Sequence, residues 1–147
     1  MRPFSPLRAL CGAAAWALLG AAPAAAADSE ASACLKTKVW SGYNEGWHVR
    51  TTTEATLGQG EHRVFLVTLY AGNEYKLSVC ADSKATDIDL VLHDATGKEV
   101  ARDQGDDREP TVSFKATRTD TYYVAVYASK LVAADQKSGV AFAVTYK

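Results

Sequence analysis

Two aspartates one residue apart, Asp87 and Asp89, stand in a stretch where apolar and polar residues alternate. In an extended chain both carboxylates project from one face, with α-carbons roughly 6.5–7 Å apart at a rise of about 3.3 Å per residue. The polar loop Asp103-Gln104-Gly105-Asp106-Asp107 follows closely enough to fold back onto them. Carboxylate oxygens on a loop beside a strand suit Ca²⁺, which takes about six to eight oxygens in flexible geometry. Asp87, Asp89, Asp103, Asp106 and Asp107 are therefore the candidate metal ligands, and Ca²⁺ the candidate cofactor. The competing role is a solvated strand face with turn-capping carboxylates, because no consensus calcium loop is present.

Trp40, Tyr43, Trp47 and His48 form the densest aromatic group. Exposed aromatic faces stack on sugar rings or anchor a protein partner, which makes Trp40, Tyr43 and Trp47 candidate ligand-binding residues. Buried, the same rings would cover the open end of a fold. For bond chemistry the inventory is thin. His48, His62 and His93 are scattered, and the chain has no G-x-S-x-G elbow, H-E-x-x-H pair or glycine-rich phosphate loop. No carboxylate pair is singled out for glycoside hydrolysis. The expectation is a protein that is not an enzyme.

The chain has 147 residues, 16 Lys and Arg against 17 Asp and Glu, and a formal net charge of −1. Without a run of basic residues it has no footprint for nucleic acid or an anionic membrane. Arg2 and Arg8, the apolar stretch from Ala9 to Leu19, and the small residues ending in Ala25-Ala26-Ala27 read as a removable export signal over 1–27. Gly20 and Pro23 interrupt a run already shorter than the roughly 20 apolar residues of a spanning helix, so no stable membrane insertion is expected. The remainder suffices for one domain with its own hydrophobic core, in the periplasm or outside the cell. Cys11 leaves with the signal, and Cys34 and Cys80 remain in an oxidising compartment, where a disulfide is the natural expectation. Its loop would contribute on the order of 3–4 kcal/mol on the chain-entropy account. A lipoprotein reading of Ala31-Ser32-Ala33-Cys34 is a poor motif match. Zinc is disfavoured because no C-x-x-C or H-x-x-x-H spacing occurs.

The elements that must position these residues are strands. From Glu61 onward the apolar period is two: Phe65, Val67 and Leu69; then Tyr75, Leu77 and Val79; then Ile88, Leu90 and Leu92. Ala71-Gly72-Asn73-Glu74 supplies turn chemistry between the first two runs, which predicts a hairpin. Asp94-Ala95-Thr96-Gly97 predicts a type I turn, followed by a short strand around Val100. Pro110 opens a strand with Val112 and Phe114, and the runs over 121–128 and 140–146 close the series. Tyr122 and Tyr123 face opposite ways, in a position suggestive of a tyrosine corner. The expected fold is all-β, an antiparallel β-sandwich of about 7–9 strands, with helices incidental. Residues 28–59 form a less regular N-terminal segment packing on the sandwich domain over 60–147. Thr51-Thr52-Thr53 there favours a strand but has nothing apolar to bury.

The ordered motifs Val64-Phe65, Ala71-Gly72 with Tyr75, Asp87-Ile88-Asp89-Leu90, Asp94-Ala95-Thr96-Gly97, Pro110-Thr111-Val112-Ser113-Phe114 and Thr121-Tyr122-Tyr123-Val124 resemble the bacterial pre-peptidase C-terminal domain over roughly 60–147. That family is a jelly-roll-like β-sandwich usually appended to secreted proteases. The resemblance implies a non-catalytic accessory module, and some relatives are similar to collagen-binding or calcium-binding domains. Asp120 stands where a glycine usually precedes the Tyr-Tyr strand. The expected function is a secreted or periplasmic binding module recognising a polysaccharide or a protein surface, possible calcium stabilisation included. The alternative is a structural or inhibitory envelope protein that pairs with a secreted protease or another partner.

Overall fold

The computed structural model describes residues 29–147, so the expected export signal over 1–27 lies outside the described residues. Helix α1 (Glu30–Asn44) is followed by eight strands: β1 (His48–Gly58), β2 (His62–Leu69), β3 (Glu74–Ala81), β4 (Ala85–His93), β5 (Glu99–Asp103), β6 (Thr111–Lys115), β7 (Asp120–Leu131) and β8 (Lys137–Tyr146). They form two antiparallel four-stranded sheets, one in the order β1-β8-β3-β6 and the other β2-β7-β4-β5. The expected all-β sandwich is the observed architecture.

The period-two pattern sets which faces meet. Tyr75, Leu77 and Val79 of β3 and Phe142 and Val144 of β8 point inward from one sheet, against Leu69, Leu90, Leu92, Val124 and Val126 of the other. Phe65 and Phe142 stack across the gap with ring centroids 5.1 Å apart. Only β4 and β5 are consecutive strands of one sheet. Asp94 Oδ1 accepts from the Thr96 and Lys98 N–H groups in their turn, and Gly97 takes the left-handed φ of +83° that the turn requires.

Three sequence expectations are corrected. The predicted hairpin is a crossover: β2 pairs with β7, whereas β3 pairs with β6 and β8, so the turn at Gly72 carries the chain between sheets. Both runs bury one face, and alternation alone does not say which sheet a strand joins. The corner role falls to Tyr75, not Tyr122. The Tyr75 hydroxyl accepts from the Tyr70 N–H at 2.7 Å, while buried Tyr122 packs edge-on against Phe114. The segment expected to be irregular is regular over its described residues, 29–59, where it supplies α1 and the 11-residue strand β1, an integral edge of the first sheet. Ser29 caps the helix by accepting from the Ser32 N–H.

Candidate functional site

Helix α1 lies on the outer face of the β1-β8-β3-β6 sheet. Its apolar contribution is small: Ala31 and Leu35 bury against Cys80, Ala141 and Ala143. Covalent and polar contacts complete the seat. Cys34 and Cys80 form the expected disulfide. Glu30 Oε2 accepts from the Ser83 N–H and hydroxyl, and Arg108 Nη1 pairs with Glu30 Oε1 at 3.1 Å. These contacts, the Ser83 N–H foremost, hold the Glu30 carboxyl below its ordinary range. Lys38 Nζ reaches both the backbone carbonyl and the carboxylate of Glu109 at 3.0 Å. The disulfide also decides two alternatives, because it occupies the thiol that lipidation of Cys34 would need. The one cluster of possible metal donors among the described residues, Cys34, Cys80 and Glu109, has the same two sulfurs bonded to each other.

The three candidate aromatics part company on this helix. Trp40 is 66% exposed and Tyr43 56%, with ring centroids 6.1 Å apart in an edge contact. Tyr43 continues edge-on to His48, and His48 lies tilted against Tyr146, so an aromatic row runs from α1 across β1 to β8. Trp47 is only 8% exposed. Its side chain lies against Gly42, and the Lys76 and Lys147 ammonium groups sit 4.4 and 4.8 Å from its ring centroid. Trp47 thus closes the helix–sheet junction as a packing residue, and Trp40 and Tyr43 are the rings a partner can reach. Beside Trp40 a groove of about 420 Å³ separates α1 from β1, lined by Leu35, Val39, Trp40, Thr52 and Thr53 among others. Strand β1 pairs with β8 on one side, and among the described residues its other edge has no strand neighbour. The groove residues Leu35 and Val39 were missed in the sequence, although their spacing of four, downstream of the capping Ser29, is a helical signal.

The acidic residues gather in part. The Ile88 N–H donates to the Asp107 carbonyl at 2.8 Å, which brings the 103–109 loop onto β4 beside Asp87. Asp87 Oδ1 is buried without a hydrogen-bond partner among the described residues. Burial first, then the charges of Asp89, Asp106 and Asp107, push the Asp87 carboxyl above its ordinary range. Asp89 accepts from the Ser129 hydroxyl. Asp103 is already engaged: its Oδ2 accepts from the Thr111 N–H at 2.8 Å, tying β5 to β6, and its Oδ1 accepts from Gly105. The histidines do not converge on a nucleophile. His48 belongs to the aromatic row, His62 stacks on Tyr127, and His93 ends β4.

Among solved structures, the chain is similar to Aeromonas hydrophila PliG, a periplasmic lysozyme inhibitor of g-type lysozyme, at 13% identity and a TM-score of 0.48, over 70% of this chain and 90% of that one. No curated protein sequence matches. Residues 63–128, from β2 through most of β7, match the family model of the bacterial pre-peptidase C-terminal domain.

Proposed function

We propose that the protein is an exported, non-catalytic accessory module that holds an envelope or secreted protein through the face formed by α1 and β1. The observation that carries this reading is solvent-facing Trp40, in edge contact with exposed Tyr43, at the rim of a groove that Leu35 and Val39 also line, beside a strand edge with no strand neighbour among the described residues. An extended segment of the partner would add to β1 through main-chain hydrogen bonds and place alternate apolar side chains in the groove. Exposed aromatic rings act as anchors in such contacts. Action by occupancy covers both an accessory and an inhibitory role. Export is supported by the Cys34–Cys80 disulfide, a bond that persists in oxidising compartments. Among the described residues no helix is long and apolar enough to cross a membrane.

Photo-crosslinking in the producing cell tests this, with p-benzoylphenylalanine at Thr52 or, as control, at Val64 on the opposite sheet. One discrete adduct at position 52, absent at 64 and lost in Trp40→Ala, supports the reading. The partner identified from that adduct, once purified, should bind Trp40→Ala about tenfold more weakly or worse. Adducts indifferent to Trp40, or equal at both positions, overturn it.

A second reading, Ca²⁺ at the acidic end of β4, is favoured by the unpartnered Asp87 Oδ1 facing the charges of Asp89, Asp106 and Asp107. A cation there would relieve the repulsion that ionised Asp87 meets. Calcium added to chelated protein should then raise the melting temperature, and Asp87→Asn should abolish the rise. Absence of both heat and shift in titration ends this reading.

A further inference from the structure

The other flank of α1 covers a cavity of different character. Beneath the first half of the helix the outer sheet face is apolar, with Cys80, Ala141 and Ala143 under Ala31 and Leu35. Beneath the second half the same face turns polar. Ser78 and Lys76 of β3, Thr145 of β8 and Thr111 of β6 form the floor, and Ser41, Gly42 and Glu45 form the opposite wall. The floor residues are neighbours by register, Ser78 opposite Thr111 and Lys76 opposite Thr145. Small Ser41 and Gly42 on the helix leave an open cavity of about 270 Å³, room for about nine waters at ~30 Å³ each and at the small end of ligand sites.

Hydroxyls on a covered sheet face need partners, and here each has a single described side-chain contact. The Thr145 hydroxyl donates to the Lys76 carbonyl at 3.2 Å, and Thr111 approaches Ser78 Oγ at 3.4 Å. Ser78 is 8% exposed, and Thr111 is the one described partner of its hydroxyl. The Lys76 ammonium lies over Trp47, and neither it nor the Glu45 carboxylate makes an ion pair among the described residues. The cavity therefore offers donors (Lys76, Ser78) and acceptors (Thr111, Thr145) on its floor and a further acceptor, Glu45, on the helix wall.

That pairing selects the ligand class. An apolar guest would strip water from the Lys76 ammonium, the Glu45 carboxylate and these hydroxyls and replace none of its hydrogen bonds. A simple anion would meet Glu45 and the negative end of the α1 dipole, and of the two lysines in the lining Lys38 is already paired with Glu109. Alcohol groups donate and accept at once and satisfy both walls. We propose that this cavity binds a neutral polyol ring, a single pyranose unit of a glycan. The site stands apart from the partner face at Trp40 and does not depend on that reading.

The test is a backbone-amide NMR titration of the purified chain, as the cell exports it, with glucose, galactose, mannose and N-acetylglucosamine, and with inorganic phosphate as the charge control. At least one sugar should shift the amides of Gly42, Ser78, Thr111 and Thr145 with a dissociation constant of about 1–10 mM. Ser78→Ala should weaken it about tenfold. Glu45→Gln, at an exposed position where folding is not at stake, should weaken it about threefold or more. The proposal is overturned if no sugar shifts these amides up to about 50 mM, if phosphate shifts them and sugars do not, or if both variants bind as the parent does.

Discussion

At the level of single residues, carboxylates do two opposite things in this protein. Asp82, in the turn after β3, accepts from the Ser138 hydroxyl at 2.7 Å, the Gly139 N–H at 2.9 Å and the Lys84 N–H at 3.0 Å. Burial is the largest single influence on it and pulls its pKa upward, but the three hydrogen bonds together prevail and the net shift is downward. A lowered folded-state pKa means that the ionised form stabilises the fold above the ordinary carboxyl range, and that this contribution is lost as pH falls through the lowered value. Asp82→Ala should cost about 1–3 kcal/mol at neutral pH, measured by urea unfolding, with the difference shrinking in acid. Asp87 has the reverse sign. Its raised pKa makes the ionised form a liability at neutral pH that disappears below the ordinary carboxyl range. In chelator, Asp87→Asn should therefore melt higher than the parent at pH 7 and indistinguishably from it in acid. The sequence marked Asp87 as a candidate from its same-face spacing with Asp89. It did not mark Asp103 as a turn acceptor, because that role depends on the Thr111 N–H of another strand.

At the level of elements, α1 is an addition held by few contacts. It buries Ala31 and Leu35, and the rest of its attachment is the disulfide, the Glu30–Ser83 hydrogen bonds, the ion pairs Glu30–Arg108 and Lys38–Glu109, the Lys38 bond to the Glu109 carbonyl, and the Trp47 contact at Gly42. Exposed pairs contribute little, so the covalent link should dominate. The double variant Cys34→Ala, Cys80→Ala should lose about 2–4 kcal/mol of stability in denaturant. Amide exchange should accelerate over 30–44 while β4 and β7 stay protected. Equal loss of protection throughout would show that the helix is part of the cooperative core instead. This element was nearly invisible in sequence for the same reason. An apolar face one or two residues wide gives no strong 3.6 period, and tertiary contacts supply what periodicity lacks. Strand β1 was faint too, since its inward positions include Thr51, Thr53 and Ala55, and an edge strand with half-buried threonines reads as a polar run.

At the level of the whole molecule, two sheets close over one core, and every consecutive pair of strands except β4–β5 switches sheet. Stability should therefore concentrate where the layers touch. Phe142, stacked on Phe65 and fully enclosed, is the residue whose loss should be felt most: Phe142→Ala should cost about 3–5 kcal/mol, read from equilibrium unfolding. The strands, the Cys34–Cys80 pairing and the family resemblance were legible from the chain alone, because alternation, cysteine parity and turn residues are local signals. Folding alone decided which strand joined which sheet, that Trp47 went inside while Trp40 stayed outside, and that a polar floor lay beneath the end of α1. Each of these depends on which distant segment arrives alongside, and a period of two carries no record of its neighbours.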